Sequence, residues 1–130
     1  MIDILIKNNL SKGELLGFLM LVFSVDIEKL MVVSIIDFSE MGAIDFSGVD
    51  CLCVYDSIGG DASKLLQLYR YKISDDELIC RLQMACEIEG IACYVPRDSF
   101  DNWSLMDGGR PMKNVRQIES AEGVFLFDEV

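Results

Sequence analysis

Residues 74–90, SDDELICRLQMACEIEG, followed by the apolar run IACYVP to Pro96, decide the fold class of this chain. Ser74 has the side-chain oxygen that accepts the free N–H groups of a starting helix. Asp75, Asp76 and Glu77 then place negative charge in the first turn, where the helix dipole favours it. Leu78, Ile79, Leu82, Ala85 and Cys86 fall at i, i+1, i+4, i+7 and i+8, which makes a single apolar stripe, while Arg81 and Glu87 point outward. Gly90 stands where the chain must turn left-handed to stop the helix. Ile91–Val95 reads as a strand that Pro96 ends. A one-faced helix feeding directly into a buried strand predicts helices packed on a sheet.

Upstream of this unit, Cys51–Asp56 and Leu65–Ile73 read as two strands joined through Ser57-Ile58-Gly59-Gly60-Asp61, an antiparallel hairpin. Met1–Lys7 alternates with Ile2, Ile4 and Ile6 on one face, predicting a first strand with one buried side. Ser11 and Glu14 form a capping box, and Leu10 and Leu15 occupy the positions of a hydrophobic staple, so a helix starts here and runs to about Ser24. Its apolar residues surround the axis, which predicts burial on nearly all sides. Leu30–Ile36 is short, apolar and rich in β-branched residues, as a central strand buried on both faces would be. Asp37-Phe38-Ser39 and Asp45-Phe46-Ser47 repeat a tripeptide eight positions apart and predict irregular or edge structure. Downstream, residues 97–111 are broken by aspartates, glycines and Pro111 and predict a long loop, followed by strands at Met112–Ile118 and Val124–Phe127. The expected architecture is α+β: one domain over residues 1–130, with a mixed, mainly antiparallel sheet and two main helices packed on it.

The composition limits the chemistry. The chain has 130 residues, 22 acidic against 11 basic, a formal net charge of -11, and no histidine. Without histidine there is no serine–histidine or cysteine–histidine nucleophilic site and no histidine-bearing zinc site of the hydrolytic kind. A carboxylate pair remains chemically possible, but with so many acids chance proximity is expected and nothing in the context supports it. Cys51 and Cys53 lie two apart, on the same face of their strand, and no second pair completes a tetrahedral metal site, so they read as small core hydrophobes. Cys86 joins the helix stripe, and Cys80 lies off it. The odd set of five cysteines lacks the spacing of a secreted disulfide framework and predicts free thiols in a cytoplasm. The longest apolar run, Leu15–Val25, is too short to span a bilayer. Gly59-Gly60 and Gly108-Gly109 lack the lysine and the strand–loop–helix frame of a phosphate cradle. Arg110, Lys113 and Arg116 make only a small basic island, so nucleic acid is disfavoured. No catalytic residue, metal or cofactor is expected.

What remains is the distribution of acids. Between Asp26 and Asp61 lie eight carboxylates against one base, Lys29. If the intervening strands are buried, Asp37, Glu40, Asp45, Asp50, Asp56 and Asp61 are driven to loops and edges, where a negative patch steers a basic protein. Phe100 and Trp103, among carboxylates in the 97–111 segment, are the expected aromatic anchors of such an interface.

A small, acidic, single-domain chain without catalytic residues resembles the immunity proteins of bacterial toxin systems, such as contact-dependent growth inhibition. The resemblance lies in the character of the whole chain. It implies a one-to-one inhibitor, monomeric or weakly dimeric, that covers a basic toxin domain, often a nuclease, by imitating the charge of its substrate. A scaffold or assembly subunit that self-associates through an apolar surface is the alternative, motivated by the uniformly apolar first helix. A small enzyme with a carboxylate or cysteine centre is a third.

Overall fold

The computed structural model describes residues 1–98 and 100–130. These residues form strands β1 (Ile2–Ile6), β2 (Leu30–Ser34), β3 (Cys51–Ser57), β4 (Gly59–Gly60), β5 (Lys64–Tyr69), β6 (Ala92–Pro96), β7 (Asn102–Asp107), β8 (Lys113–Ile118) and β9 (Val124–Glu129). The helices are α1 (Lys12–Phe23), α2 (Ile35–Glu40) and α3 (Asp75–Glu89), with a short 3-10 turn at Ile27–Lys29. The fold is α+β. The sheet order is β2-β3-β5-β1-β6-β7-β8-β9-β4; its pairings are antiparallel except β2 with β3 and β4 with β9.

The capping chemistry places the two long helices as expected. Ser11 Oγ accepts from the Glu14 N–H at 3.1 Å, and Glu14 Oε1 accepts from the Ser11 N–H at 3.0 Å. Ser74 Oγ accepts from the Glu77 N–H at 3.1 Å, and Gly90 closes α3 at φ 66°. Both helices lie on one face of the sheet: Leu15, Phe18, Leu19 and Val22 of α1 and Leu78, Leu82, Ala85 and Cys86 of α3 share a core with Ile4, Ile6, Cys51, Cys53, Leu66, Leu68, Cys93 and Met106. Leu21 is the exception to the all-round burial expected of α1, since it looks outward beside α3. No helix among the described residues is long and apolar enough to cross a membrane.

The opposite face has a core of its own, so β1 is buried on both sides and not on one. Leu5, Ala62, Tyr94, Trp103 and Val115 gather there, with Leu105, Phe125 and Phe127 packed against them. The sheet curls over this core until β9 reaches the connector between β3 and β5. Gly59 N–H donates to Gly123 O at 2.9 Å, Asp61 N–H to Phe125 O at 2.7 Å, and Phe127 N–H to Asp61 Oδ2 at 2.9 Å. Gly60 makes this approach possible: at φ 93° its missing side chain leaves room for the Phe125 backbone.

Three expectations need correction. The run Leu30–Ile36 is not a central strand. It is an edge strand as far as Ser34, paired among the described residues only with β3, and there Ser34 Oγ accepts from the Asp37 N–H at 3.1 Å and caps α2. The capped turn takes Asp37-Phe38-Ser39 out of the irregular class. The segment 97–111 is not one loop either, because β7 pairs with β6 and β8 through Asn102–Asp107; Ser99, within that segment, lies outside the described residues. The β6–β7–β8 meander supplies the backbone partners that a structureless run would lack.

Candidate functional site

The six carboxylates singled out in the sequence divide into three groups. Asp37 and Glu40 stand exposed on α2, and Asp45 is exposed in the following segment, where its Oδ1 accepts from the Ser47 N–H at 2.9 Å. That bond holds the Asp45 carboxyl below its ordinary range. Asp50 and Asp56 flank the core of β3 at its two ends, about 20 Å apart along an extended strand. Asp50 pairs with Lys72 at 3.7 Å. Asp61 has a structural task, accepting the Phe127 N–H that ties β9 to the connector. The patch is therefore narrower than expected, centred on α2 and the segment that leads from it to β3.

That region also contains apolar surface that the sequence reading did not assign. Ile36 is 67% exposed, Met41 40% and Ile35 39%. They lie beside Asp37 and Glu40, which gives an apolar centre with a carboxylate rim, the usual anatomy of a docking patch. Next to it, Phe38, Phe46, Leu52, Tyr69 and Arg70 line a shallow cleft of about 330 Å³, with the Arg70 guanidinium 5.1 Å from the Phe46 ring centre. Arg70 adopts φ 67°, a left-handed conformation that side chains other than glycine rarely take. The signal for this surface was present in Ser34-x-x-Asp37. Once that cap is read, Ile35 and Ile36 fall in a single short helical turn and cannot both face a core.

Carboxylates without an ion pair occur along the whole chain, and those of α2 are among them. Among the described residues the ion pairs are Lys72–Asp50, Arg81–Glu77, Arg110–Asp107 and Lys113–Glu129. Of the six carboxylates, Asp50 alone takes part in one of them.

The two aromatic candidates separate completely. Trp103 is 8% exposed. It meets Phe127 edge to face at 5.8 Å, Phe127 stacks on Tyr94 at 4.1 Å, and the indole N–H donates to Gln117 Oε1 at 3.1 Å. A tryptophan whose ring and polar handle are both satisfied inside the second core is not available to a partner, so its assignment as an anchor is withdrawn. Phe100 is 99% exposed in the β6–β7 turn, separated from β3 in the sheet by β5, β1 and β6. It belongs to a different part of the surface from the α2 patch.

The thiols of β3 are core residues. Cys51 and Cys53 are buried on the helix side, and loss of water raises the Cys51 thiol to about 12 and Cys53 further still. Neither is ionised near neutrality, so neither is poised for nucleophilic attack. Burial also raises Tyr71 to about 12, helped by its hydroxyl donating to Asp75 at 2.9 Å. No protein-family model, curated protein or solved structure matches this chain.

Proposed function

We propose that this protein is an immunity-type inhibitor that acts in the cytoplasm by binding a basic toxin domain and covering its active cleft. The observation that carries the reading is the α2 surface: Ile35, Ile36 and Met41 exposed beside Asp37, Glu40 and Asp45, with no ion pair to any of these three acids among the described residues. A cleft built to hold phosphates presents lysines and arginines. An array of carboxylates around an apolar centre meets such a cleft with complementary charge and excludes water from it. The net charge of -11 extends the attraction beyond contact range and speeds encounter, and it disfavours nucleic acid as the partner.

The test is retention of a basic protein encoded beside this one, followed by titration calorimetry and an assay of that protein's activity. A 1:1 complex that silences the activity, and that weakens when Ile36 is changed to Glu, supports the proposal. A partner that binds unchanged when Ile36, Asp37 and Glu40 are all altered contradicts it. The second reading, self-association, draws on Leu21, Met84 and Ile88, exposed where α1 and α3 meet. Light scattering over a concentration series separates the two, because only an assembly subunit grows beyond the mass of a dimer.

A further inference from the structure

Three sulfur atoms from three different elements meet in the helix-side core. Cys86 of α3 and Cys93 of β6 place their Sγ atoms 3.4 Å apart, and Cys93 Sγ lies 4.0 Å from the Sδ of Met106 on β7. All three residues are at most 1% exposed. We infer that Cys86, Cys93 and Met106 form a site for a soft monovalent metal ion, with Cu(I) as its natural occupant. This inference is independent of the proposed toxin partner.

The geometry is the ground for it. With metal–sulfur bonds of about 2.3 Å, two sulfurs subtending about 100–120° at one ion lie ~3.5–4.0 Å apart. The observed separations of 3.4 and 4.0 Å match that range to within the tolerance of about 0.2 Å appropriate for a metal site. Both spacings that involve Cys93 are therefore those of sulfurs that share one ion. The donor set selects the metal: two thiolates and a thioether are soft ligands that favour Cu(I), whereas zinc in a structural site wants four donors. Among the described residues no three His, Cys, Asp or Glu side chains converge for a harder ion. In the metal-free protein the two thiols lie within hydrogen-bond reach of each other. Binding displaces the thiol protons to solvent and leaves the oxidation state of the metal and of the sulfurs unchanged.

Access is from the end of α3. Ala92 and Asp107, each next in sequence to a sulfur-bearing residue, line an open cleft of about 320 Å³ with Lys7, Asn8 and Gly90. Gly90 is the left-handed stop of the helix, so local opening of that last turn is the route to the sulfurs. The sequence did not show this constellation because Cys86 and Cys93 are seven residues apart across a chain reversal and methionine is rarely counted as a ligand.

The test uses the full chain carrying Cys80→Ser, which removes the exposed thiol, under anaerobic conditions. Titration with Cu(I) against a chromophoric Cu(I) chelator is expected to give one tightly bound ion per chain, and X-ray absorption is expected to show three sulfur neighbours. Met106→Leu, which preserves the core volume, is expected to fold and to lose one sulfur from that shell. Cys86→Ser is expected to abolish tight binding. An unaltered Met106→Leu absorption spectrum, or a Cys80→Ser protein that fails to compete with the chelator while remaining folded by circular dichroism, overturns the site.

Discussion

Replacing Trp103 with Ala separates the two roles open to that residue. The side chain is 8% exposed, makes an edge-to-face contact with Phe127 and donates to Gln117. Burying a ring of that size removes roughly 150–250 Å² from water, which at about 25 cal/mol per Å² corresponds to about 4–6 kcal/mol. Part of this is recovered when the curled sheet relaxes into the gap, and part is reinforced by the lost hydrogen bond, so the central expectation is about 4 kcal/mol, within the range for buried aromatic truncations. For a domain of this length each kcal/mol moves the melting temperature by about 3–5 °C, giving a fall of ~12–20 °C. Phe100→Ala, at a 99% exposed position, is expected to change stability by less than about 0.5 kcal/mol. Urea denaturation followed by far-ultraviolet circular dichroism is the assay, since Trp103 is the only tryptophan and its removal abolishes the usual fluorescence probe. If Trp103→Ala cost under 1 kcal/mol, the second core would not exist as described and the residue would return to the surface.

Gly60→Ala is expected to destabilise by at least about 2 kcal/mol, because the position combines φ 93° with the Phe125 backbone where a Cβ would stand; hydrogen exchange should show the loss concentrated in β9. Asp3 has a buried Oδ1 with no hydrogen-bond partner, and burial raises its pKa above the ordinary 3.8. Its neutral form is thus favoured by folding, the benefit is complete below that ordinary value, and it is lost as pH rises through the raised one. Asp3→Asn is accordingly expected to melt higher than the wild type at pH 7 and to show no advantage near pH 3 by differential scanning calorimetry. Ser34→Ala removes the cap of α2 at a cost of about 1 kcal/mol to that helix. Amide exchange at residues 37–40 should speed up while β1 and β5 stay protected.

The parts of this fold that could be read from the sequence are those in which a local signal has one meaning. The capping box at Ser11–Glu14, the Ser74 cap and the stop at Gly90 each satisfy backbone groups that nothing else nearby can satisfy. The apolar run Leu30–Ile36 carries no such constraint: a short β-branched stretch suits an edge strand as well as a central one, and only the Ser34 cap shows where strand gives way to helix. β7 was missed because Trp103 and Leu105 face one core while Ser104 and Met106 face the other direction, so burial on both sides erased the alternation. The return of β9 to Gly59–Gly60 depends on residues more than sixty positions apart and has no local trace. For the candidate site, charge pointed to Asp37, Glu40 and Asp45, but the apolar centre of the patch emerged only once α2 was in place, and Trp103 was misassigned because composition cannot distinguish a satisfied indole from an anchoring one.

The central claim is that the α2 carboxylates draw in and hold a basic partner. The most direct measurement is the association rate of this protein with the partner retained from its native cell, followed by stopped-flow from low to high salt for the wild type and for Asp37→Lys/Glu40→Lys/Asp45→Lys. The account predicts a wild-type rate that falls steeply with salt and a triple variant slowed by roughly 10-fold or more at low salt, the two converging as screening removes the field. Equal rates for both proteins at every ionic strength would contradict it.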